Sequence, residues 1–286
     1  MNKGKLRIPK FIYTSVPNLR KVDTRLQENW NFLKRNNPDW NHIAFDDQTL
    51  KDFIKANYDR EILNSYESIE VSYGAARADY FRYLLLLKNG GVWLDAKTCI
   101  DKKLDDILRP DDEFLLTQWT IDETSEANEL FWGSRSKLPV SEYLTWCIFT
   151  KPNHPFMEKV VADVTRNIKS YHPLLHGIGG MGVLGTTGPL AYTRSIHPII
   201  ESANWRRIKL EEEQIRYTIF SGVFEHRGVI GTNYRKNYRP VIRRGILIDL
   251  EVVPTFLVIG IRKLVRRVRK ILEYDPSTAS NFKGIR

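Results

Sequence analysis

Apolar and polar positions along this chain fall into two regimes that can be read directly. Between residues 74 and 101, in GAARADYFRYLLLLKNGGVWLDAKTCID, Tyr80, Tyr83, Leu84 and Leu87 recur at helical spacing, which predicts a helix with a core-facing stripe. Asn89-Gly90-Gly91 follows, three residues that tolerate positive φ and therefore end a helix. Val92-Trp93-Leu94 then reads as a short buried strand, with Asp95 where it ends, and Phe114-Leu115-Leu116-Thr117 reads as another strand. A carboxylate at the end of a strand in an α/β sheet stands at the edge where such sheets bind ligands, which makes Asp95 the leading candidate for function.

The second regime is C-terminal. Leu257, Ile261, Leu264, Val265, Val268, Ile271 and Leu272 fall on one helical face, and Arg262, Lys263, Arg266, Arg267, Arg269 and Lys270 on the other. That is the pattern of a helix lying in a membrane interface. The bland alternative is a helix docked on the core with a solvated basic face. Pro254 and Gly260 interrupt the segment, so the helix is expected to begin near Thr255 and to be able to bend at Gly260. Residues from Tyr274 to Arg286 read as loop or disorder.

Composition narrows the class. A chain of 286 residues with 42% hydrophobic and 27% charged residues is that of a globular protein with a sizeable core, not of a disordered chain. The formal charge of +10 is uneven: Arg235 to Lys270 holds eleven Lys/Arg against Asp249 and Glu251. Cys99 and Cys147 lack CxxC spacing and read as buried thiols of a reducing compartment. MNKGKLRIPK has no long apolar core of a signal peptide, and no stretch is long and apolar enough to span a bilayer. The expected location is therefore cytoplasmic, peripheral at the inner face of the membrane, with residues 255–272 on an anionic membrane surface.

The 74–101 stretch resembles the sugar-binding, DXD-containing region of retaining glycosyltransferases: family 32 glycosyltransferases, capsular-polysaccharide synthesis proteins and, more distantly, the large clostridial glucosylating toxins. Ala78-Asp79-Tyr80-Phe81-Arg82 matches their Ala/Ser-Asp-x-x-Arg helix, and Asn89-Gly90-Gly91-Val92-Trp93-Leu94-Asp95 their GG-[IV]-[YW]-x-D strand, at the family's separation. Weaker echoes are Ile8-Pro9-Lys10-Phe11-Ile12-Tyr13 as an opening strand, Asn37-Pro38-Asp39-Trp40 before a second strand and Asp46-Asp47, Asn153-His154-Pro155-Phe156 as a helix start, and the Thr187-Gly188-Pro189 loop. The resemblance implies a single GT-A (Rossmann-like) α/β nucleotide-sugar-binding domain over residues 1–245, with the basic amphipathic helix and tail at 246–286. It fades beyond about residue 235.

By the same resemblance, Asp79, Arg82 and Asp95 are catalytic. Ile12, Tyr13, Arg77, Asp79, Arg82, Asp95, Ala96, Lys97, Gly188 and His226 bind a UDP- or GDP-sugar donor, and the acceptor is a glycan or lipid-linked glycan of a surface polysaccharide. Asp79 and Arg82 at i and i+3 share one helix face and can act on one ligand; the bland reading is a surface ion pair. Family members hold Mn²⁺ or Mg²⁺ on the last aspartate of the triplet, but here the triplet is Asp95-Ala96-Lys97. Three outcomes stay open, with dependence on Mn²⁺ or Mg²⁺ the expectation: Lys97 points away while Asp101 takes the metal; Lys97 itself reaches the diphosphate; or Asp95 and His226 keep a weaker metal.

Other signals are weaker. Gly177 to Pro189 reads as a glycine-rich loop able to approach a ligand, without the ending of a P-loop. His172 and His176 sit at i and i+4, but Pro173 between them argues against a helical metal face. Glu123, Glu126 and Glu129 give no unambiguous nucleophile, which favours front-face attack with retention over a covalent intermediate. An effector-type protein glycosyltransferase, or a catalytically degenerate binder of glycan or polyanion using Trp119, Trp132 and Trp146, remains as an alternative; no RRM, KH, helix-turn-helix or zinc pattern supports nucleic-acid binding.

Overall fold

Both faces of the Val92-Trp93-Leu94 strand are covered, which is why its sequence shows no polar alternation. The computed structural model describes residues 5–119, 138, 140–221, 225, 229, 237–243, 257 and 261. Strand β1 (Phe11–Ser15) is second from one edge of the sheet, parallel to β2 (Asn41–Phe45) on one side and to β3 (Gly91–Leu94) on the other. Beyond β3 run β6 (Cys147–Thr150), antiparallel to it, then β5 (Phe114–Leu116) and β7 (Arg206–Arg207). The order is β2-β1-β3-β6-β5-β7 in one mixed sheet. A small antiparallel pair, β4 (Cys99–Ile100) with β8 (Ile215–Arg216), stands apart.

Helices cover the sheet. The chain crosses from β1 to β2 through α1 (Thr24–Asn36), whose start is capped by the Asp23 carboxylate accepting from the Arg25 amide. After β2, Asp46 and Thr49 form a reciprocal capping box that starts α2 (Asp47–Asn57), and Asp59 caps α3 (Arg60–Ser68). The central helix α4 (Gly74–Asn89) leads into β3, and a one-turn helix α5 (Leu104–Ile107) precedes β5. His154 caps α6 (Pro155–Lys169), with Pro155 in the first turn where its missing N–H costs nothing, as expected of Asn153-His154-Pro155-Phe156.

Asn89-Gly90-Gly91 ends α4 as predicted, with φ of 63° at Gly90 and 101° at Gly91. Neither position has room for a side chain: an added Cβ would sit 2.5 Å from the Pro152 nitrogen at Gly90 and 2.9 Å from the Phe11 carbonyl at Gly91. The turn therefore lets β3 pair against β1 at backbone contact distance.

The stripe predicted on α4 widens into a helix buried on nearly every side. Asp79, Tyr80, Phe81, Arg82, Tyr83, Leu84, Leu85 and Leu86 are all buried. Phe81 meets Trp93, Phe45 and Phe53 edge-on, and the Tyr80 hydroxyl lies 2.7 Å from Thr165 Oγ1 on α6. Removing each such aromatic from water contributes roughly 1.5–3 kcal/mol. Trp93 joins this core, while Val92 and Leu94 face a second one with Ile12, Leu33 and Trp40 across the sheet.

One segment departs from expectation. Gly177 to Pro189, read as a loop, is mostly helical: α7 (Pro173–His176), α8 (Gly179–Thr186) and α9 (Pro189–Ile196) follow in quick succession. Close packing overrides the poor helix propensity of glycine here. A Cβ on Gly182 would meet the Gly177 carbonyl at 2.6 Å and Val241 at 2.8 Å, and the Gly179 amide donates to the Tyr73 hydroxyl. Cys99 and Cys147 are free and buried. Among the described residues no helix is long and apolar enough to cross a membrane. The predicted domain boundary at 245 and nearly all of the basic C-terminal segment lie outside the described residues; Leu257 and Ile261 are helical and exposed.

Candidate active site

The C-terminal ends of β1 and β3 open into a cleft of ≈ 330 Å³, at the sheet edge where α/β proteins bind ligands. Ser15, Val16 and Pro17 enter it from the end of β1, and Asp95, Ala96 and Lys97 from the end of β3. One face of α4 supplies Ala75, Ala78, Asp79 and Arg82. The small residues leave space, and the two charged ones project where the 3.6-residue period aligns them.

Four charged groups form the cleft floor. The Arg82 guanidinium bridges two carboxylates, 3.2 Å from Asp79 Oδ1 and 3.3 Å from Asp95 Oδ1. Lys97 Nζ donates to Asp95 Oδ2 at 2.8 Å and lies 4.4 Å from the centre of the Tyr217 ring. The Trp93 indole donates to Asp95 Oδ1 at 3.2 Å, from two positions earlier on the same strand face. Thr187 donates to Asp79 Oδ2 at 3.2 Å, and Arg82 also donates to the Thr145 carbonyl and stacks on Trp93 at 5.1 Å. Asp79, Arg82 and Lys97 side chains are no more than 9% exposed, whereas Asp95 keeps 24%. Asp95 is thus the carboxylate of this cluster that a ligand can reach.

The two carboxylates are tuned apart. Burial raises the Asp79 carboxyl, and although Arg82 opposes this, the nearby Asp95 charge adds to it, leaving Asp79 at about 7. Burial acts on Asp95 too, but the Lys97 ammonium and the Arg82 guanidinium outweigh it and hold Asp95 at about 2. At neutral pH the site therefore has one fixed carboxylate and one that is close to half protonated. Because the folded state holds the Asp79 proton above the ordinary 3.8, this group's contribution to stability is complete below about pH 4 and is lost as pH rises towards 7. The loss approaches ~1.4 kcal/mol per pH unit in that window. Urea midpoints between pH 5 and 7 should fall with pH in the wild type and flatten in Asp79→Asn; equal slopes would show that Asp79 titrates normally.

The other predicted residues divide. Ala96 lines the cleft, and of Thr187-Gly188-Pro189 Pro189 does so; Gly188, the N-cap of α9, is not among the cleft residues. Ile12 and Tyr13 do not line it: both are core residues, at 4% and 1% exposure, because β1 meets the cleft only at its last residue. Arg77 packs over the Tyr66 ring at 4.8 Å and is not among the cleft residues. Asp101, expected as a metal ligand, is bound by Arg216 through two hydrogen bonds of 2.9 Å on the separate β4–β8 pair, away from the cleft. After the Asp95-to-Thr98 turn the chain enters β4 at Cys99, which carries Asp101 off. His226, Glu123, Glu126, Glu129 and Trp132 lie outside the described residues. Sequence reasoning missed Asp47, Glu142 and Tyr217, all on the cleft wall; Tyr217 stacks edge-on with Trp119 and Trp146, at 5.5 and 5.3 Å.

These residues do not fit a divalent cation. Mg²⁺ or Mn²⁺ needs several free oxygen ligands, yet both oxygens of Asp95 and both of Asp79 already accept from Arg82, Lys97, Trp93 or Thr187. Among the described residues no cluster of three His, Cys, Asp or Glu could hold a metal. A dication placed about 4 Å from the Lys97 ammonium would meet a repulsion of about 8 kcal/mol at an effective dielectric of 20.

A charged cleft at the strand ends of a mixed α/β sheet marks the chain as an α/β domain with a candidate ligand site. The chain belongs to the capsular polysaccharide synthesis protein family, whose pattern matches residues 24–174, just over half of its length. Family membership and this mixed sheet agree with the GT-A-like α/β class expected from the sequence. The chain is 23% identical over 205 residues to the initiation-specific alpha-1,6-mannosyltransferase of Schizosaccharomyces pombe, covering 70% of this chain and 50% of that protein. It is 28% identical over 153 residues to a mannosyl phosphorylinositol ceramide synthase of Saccharomyces cerevisiae, covering 54% of this chain and 33% of that one. The chain thus spans half or less of the length of these relatives. Among solved structures it is similar to the PaToxG glycosyltransferase, with a TM-score of 0.49 and 14% identity over 86% of this chain and 84% of that one.

Proposed function

We propose that the chain is a glycosyltransferase that moves a hexose from a nucleotide-diphosphate sugar to a glycan or lipid-linked glycan acceptor, with retention at the anomeric carbon. The observation that carries this reading is the Asp79–Arg82–Asp95–Lys97 cluster at the floor of the strand-end cleft. Breaking the bond to a diphosphate builds negative charge on the leaving oxygens, and preorganised cations facing that charge are the largest source of rate. Asp95 accepts from sugar hydroxyls, while Asp79, buried beneath Arg82 and Thr187, holds the Arg82 guanidinium in place. Arg82 is held on both carboxylates and so acts by positioning them. The aromatic wall of Trp119, Trp146 and Tyr217 offers stacking for a nucleobase or sugar face.

Asp95 is bound by two cations, which makes it a poor nucleophile, so front-face attack with the leaving phosphate as proton acceptor is the favoured route. The relatives named above are a mannosyltransferase and a mannosyl phosphorylinositol ceramide synthase, which supports mannose as the transferred hexose. The family description is what supports a surface polysaccharide acceptor. Association with the inner face of an anionic membrane through residues 255–272 belongs to the same proposal.

A thermal-shift screen of UDP- and GDP-sugars tests the core of it. A ligand bound to the folded state raises stability by RT ln(1 + [L]/Kd), about 2.7 kcal/mol at a hundredfold excess over Kd. At least one nucleotide sugar should raise the melting temperature by several degrees, and no shift with any of them would remove the reading.

A further inference from the structure

Lys97 stands where the resembled families carry an acid, and it does not point away: it is 5% exposed, lies on the cleft floor and is paired with Asp95 at 2.8 Å. Its backbone is pinned. The Thr98 amide donates to the Asp95 carbonyl at 2.7 Å, closing a turn around it. The buried Asn29 side chain donates to the carbonyls of Ala96 and Thr98, and the Ile219 amide donates to the carbonyl of Lys97 itself. This ammonium is therefore held at a fixed place, with Asp95 and the Tyr217 ring on its flanks. An ammonium has three donors. One is on Asp95, and Lys97 shares the cleft with the surfaces that a donor would touch.

We propose that Lys97 is the diphosphate-binding cation of this site and that it replaces a divalent metal in sugar transfer. The proposal rests on the glycosyltransferase reading above. The pairing supports it: Asp95, the floor carboxylate with the most exposed surface, is already held by Lys97 and Arg82, so a dication there would have to displace the ammonium. In the reaction, the bond from the anomeric carbon to the β-phosphate oxygen breaks and its electron pair stays on that oxygen. The acceptor hydroxyl oxygen bonds to the anomeric carbon, and its proton passes to the departing phosphate. Lys97 keeps its proton throughout and donates to the oxygens on which charge collects.

Isothermal titration with UDP and GDP, each in EDTA and in Mn²⁺, and with uridine and guanosine as phosphate-free controls, tests this. The wild type should bind one diphosphate equally well in EDTA and in Mn²⁺. Lys97→Met should weaken that binding by about tenfold or more, the effect of losing a hydrogen bond to a charged group, while leaving the nucleoside unchanged. Lys97→Arg, which keeps the charge, should retain part of it and guards against a folding defect in Lys97→Met. Wild-type binding that requires Mn²⁺, or full diphosphate affinity in Lys97→Met, would overturn the role of Lys97 and leave the transferase reading in place. Absence of nucleotide and nucleoside binding by the wild type in both buffers would overturn both.

Discussion

Asp95→Asn should lower sugar transfer by about 10²–10³-fold, the loss that follows removal of one preorganised electrostatic partner from an active site. Asp95 is the cluster carboxylate with a cleft-facing surface, and it alone touches both cations. The same substitution should also cost stability. Viewed from the sequence, a strand-end aspartate contributes to ligand binding more than to packing, and its loss would spare the fold. The structure changes that expectation, since an asparagine leaves the Lys97 ammonium buried without its counter-charge, and breaking a buried pair from one side costs about 3–5 kcal/mol. Asp95 keeps some contact with water, so the lower end of that range applies. The double variant Asp95→Asn/Lys97→Met separates the two effects. With both charges gone, urea unfolding should recover most of the lost stability, whereas transfer should stay at or below the level of Asp95→Asn. If the double variant regained turnover, the defect of Asp95→Asn would come from the unpaired Lys97 ammonium, and neither side chain would serve transfer.

Much of this site is written locally. The Asn89-Gly90-Gly91 turn, the Val92-Trp93-Leu94 strand and Asp95 are contiguous, and each position is dictated by backbone geometry that short-range sequence records: positive φ at the glycines and a strand end at Asp95. Asp79 and Arg82 were legible because the helical period fixes which residues share a face. Ile12 and Tyr13 failed for a directional reason. A motif identifies the strand but not how far along it the cleft begins, and β1 reaches the cleft at Ser15, with Val16 and Pro17 beyond. Glu142 and Tyr217 had no local signal at all, since they arrive from segments 47 and 122 residues after Asp95 and are placed by sheet pairing and the β4–β8 contact. The glycine-rich stretch misled because composition reports freedom in the unfolded chain; at Gly182 the same small residue serves close packing of a helix.

Arg82→Met should be the most damaging single change to the fold, and its cost should grow with pH. Arg82 is 5% exposed and holds Asp79, Asp95 and the Thr145 carbonyl at once. Methionine fills much of the volume but leaves those acceptors without their donor, at about 3–5 kcal/mol for the broken ion network. Asp79 relieves part of this by keeping its proton. With Arg82 gone, the main force holding Asp79 down is removed, so its folded-state value moves above 7, and the window in which stability falls with pH extends upward. The deficit relative to wild type should therefore be smaller at pH 6 than at pH 8, by up to ~1.4 kcal/mol for each unit that the window gains. Arg82→Lys should fold better than Arg82→Met yet remain impaired in transfer, because one ammonium lacks the planar fork that spans two carboxylates. Urea midpoints of the three proteins at pH 6 and pH 8 decide this: a deficit of equal size at both pH values would mean that Asp79 does not respond to Arg82.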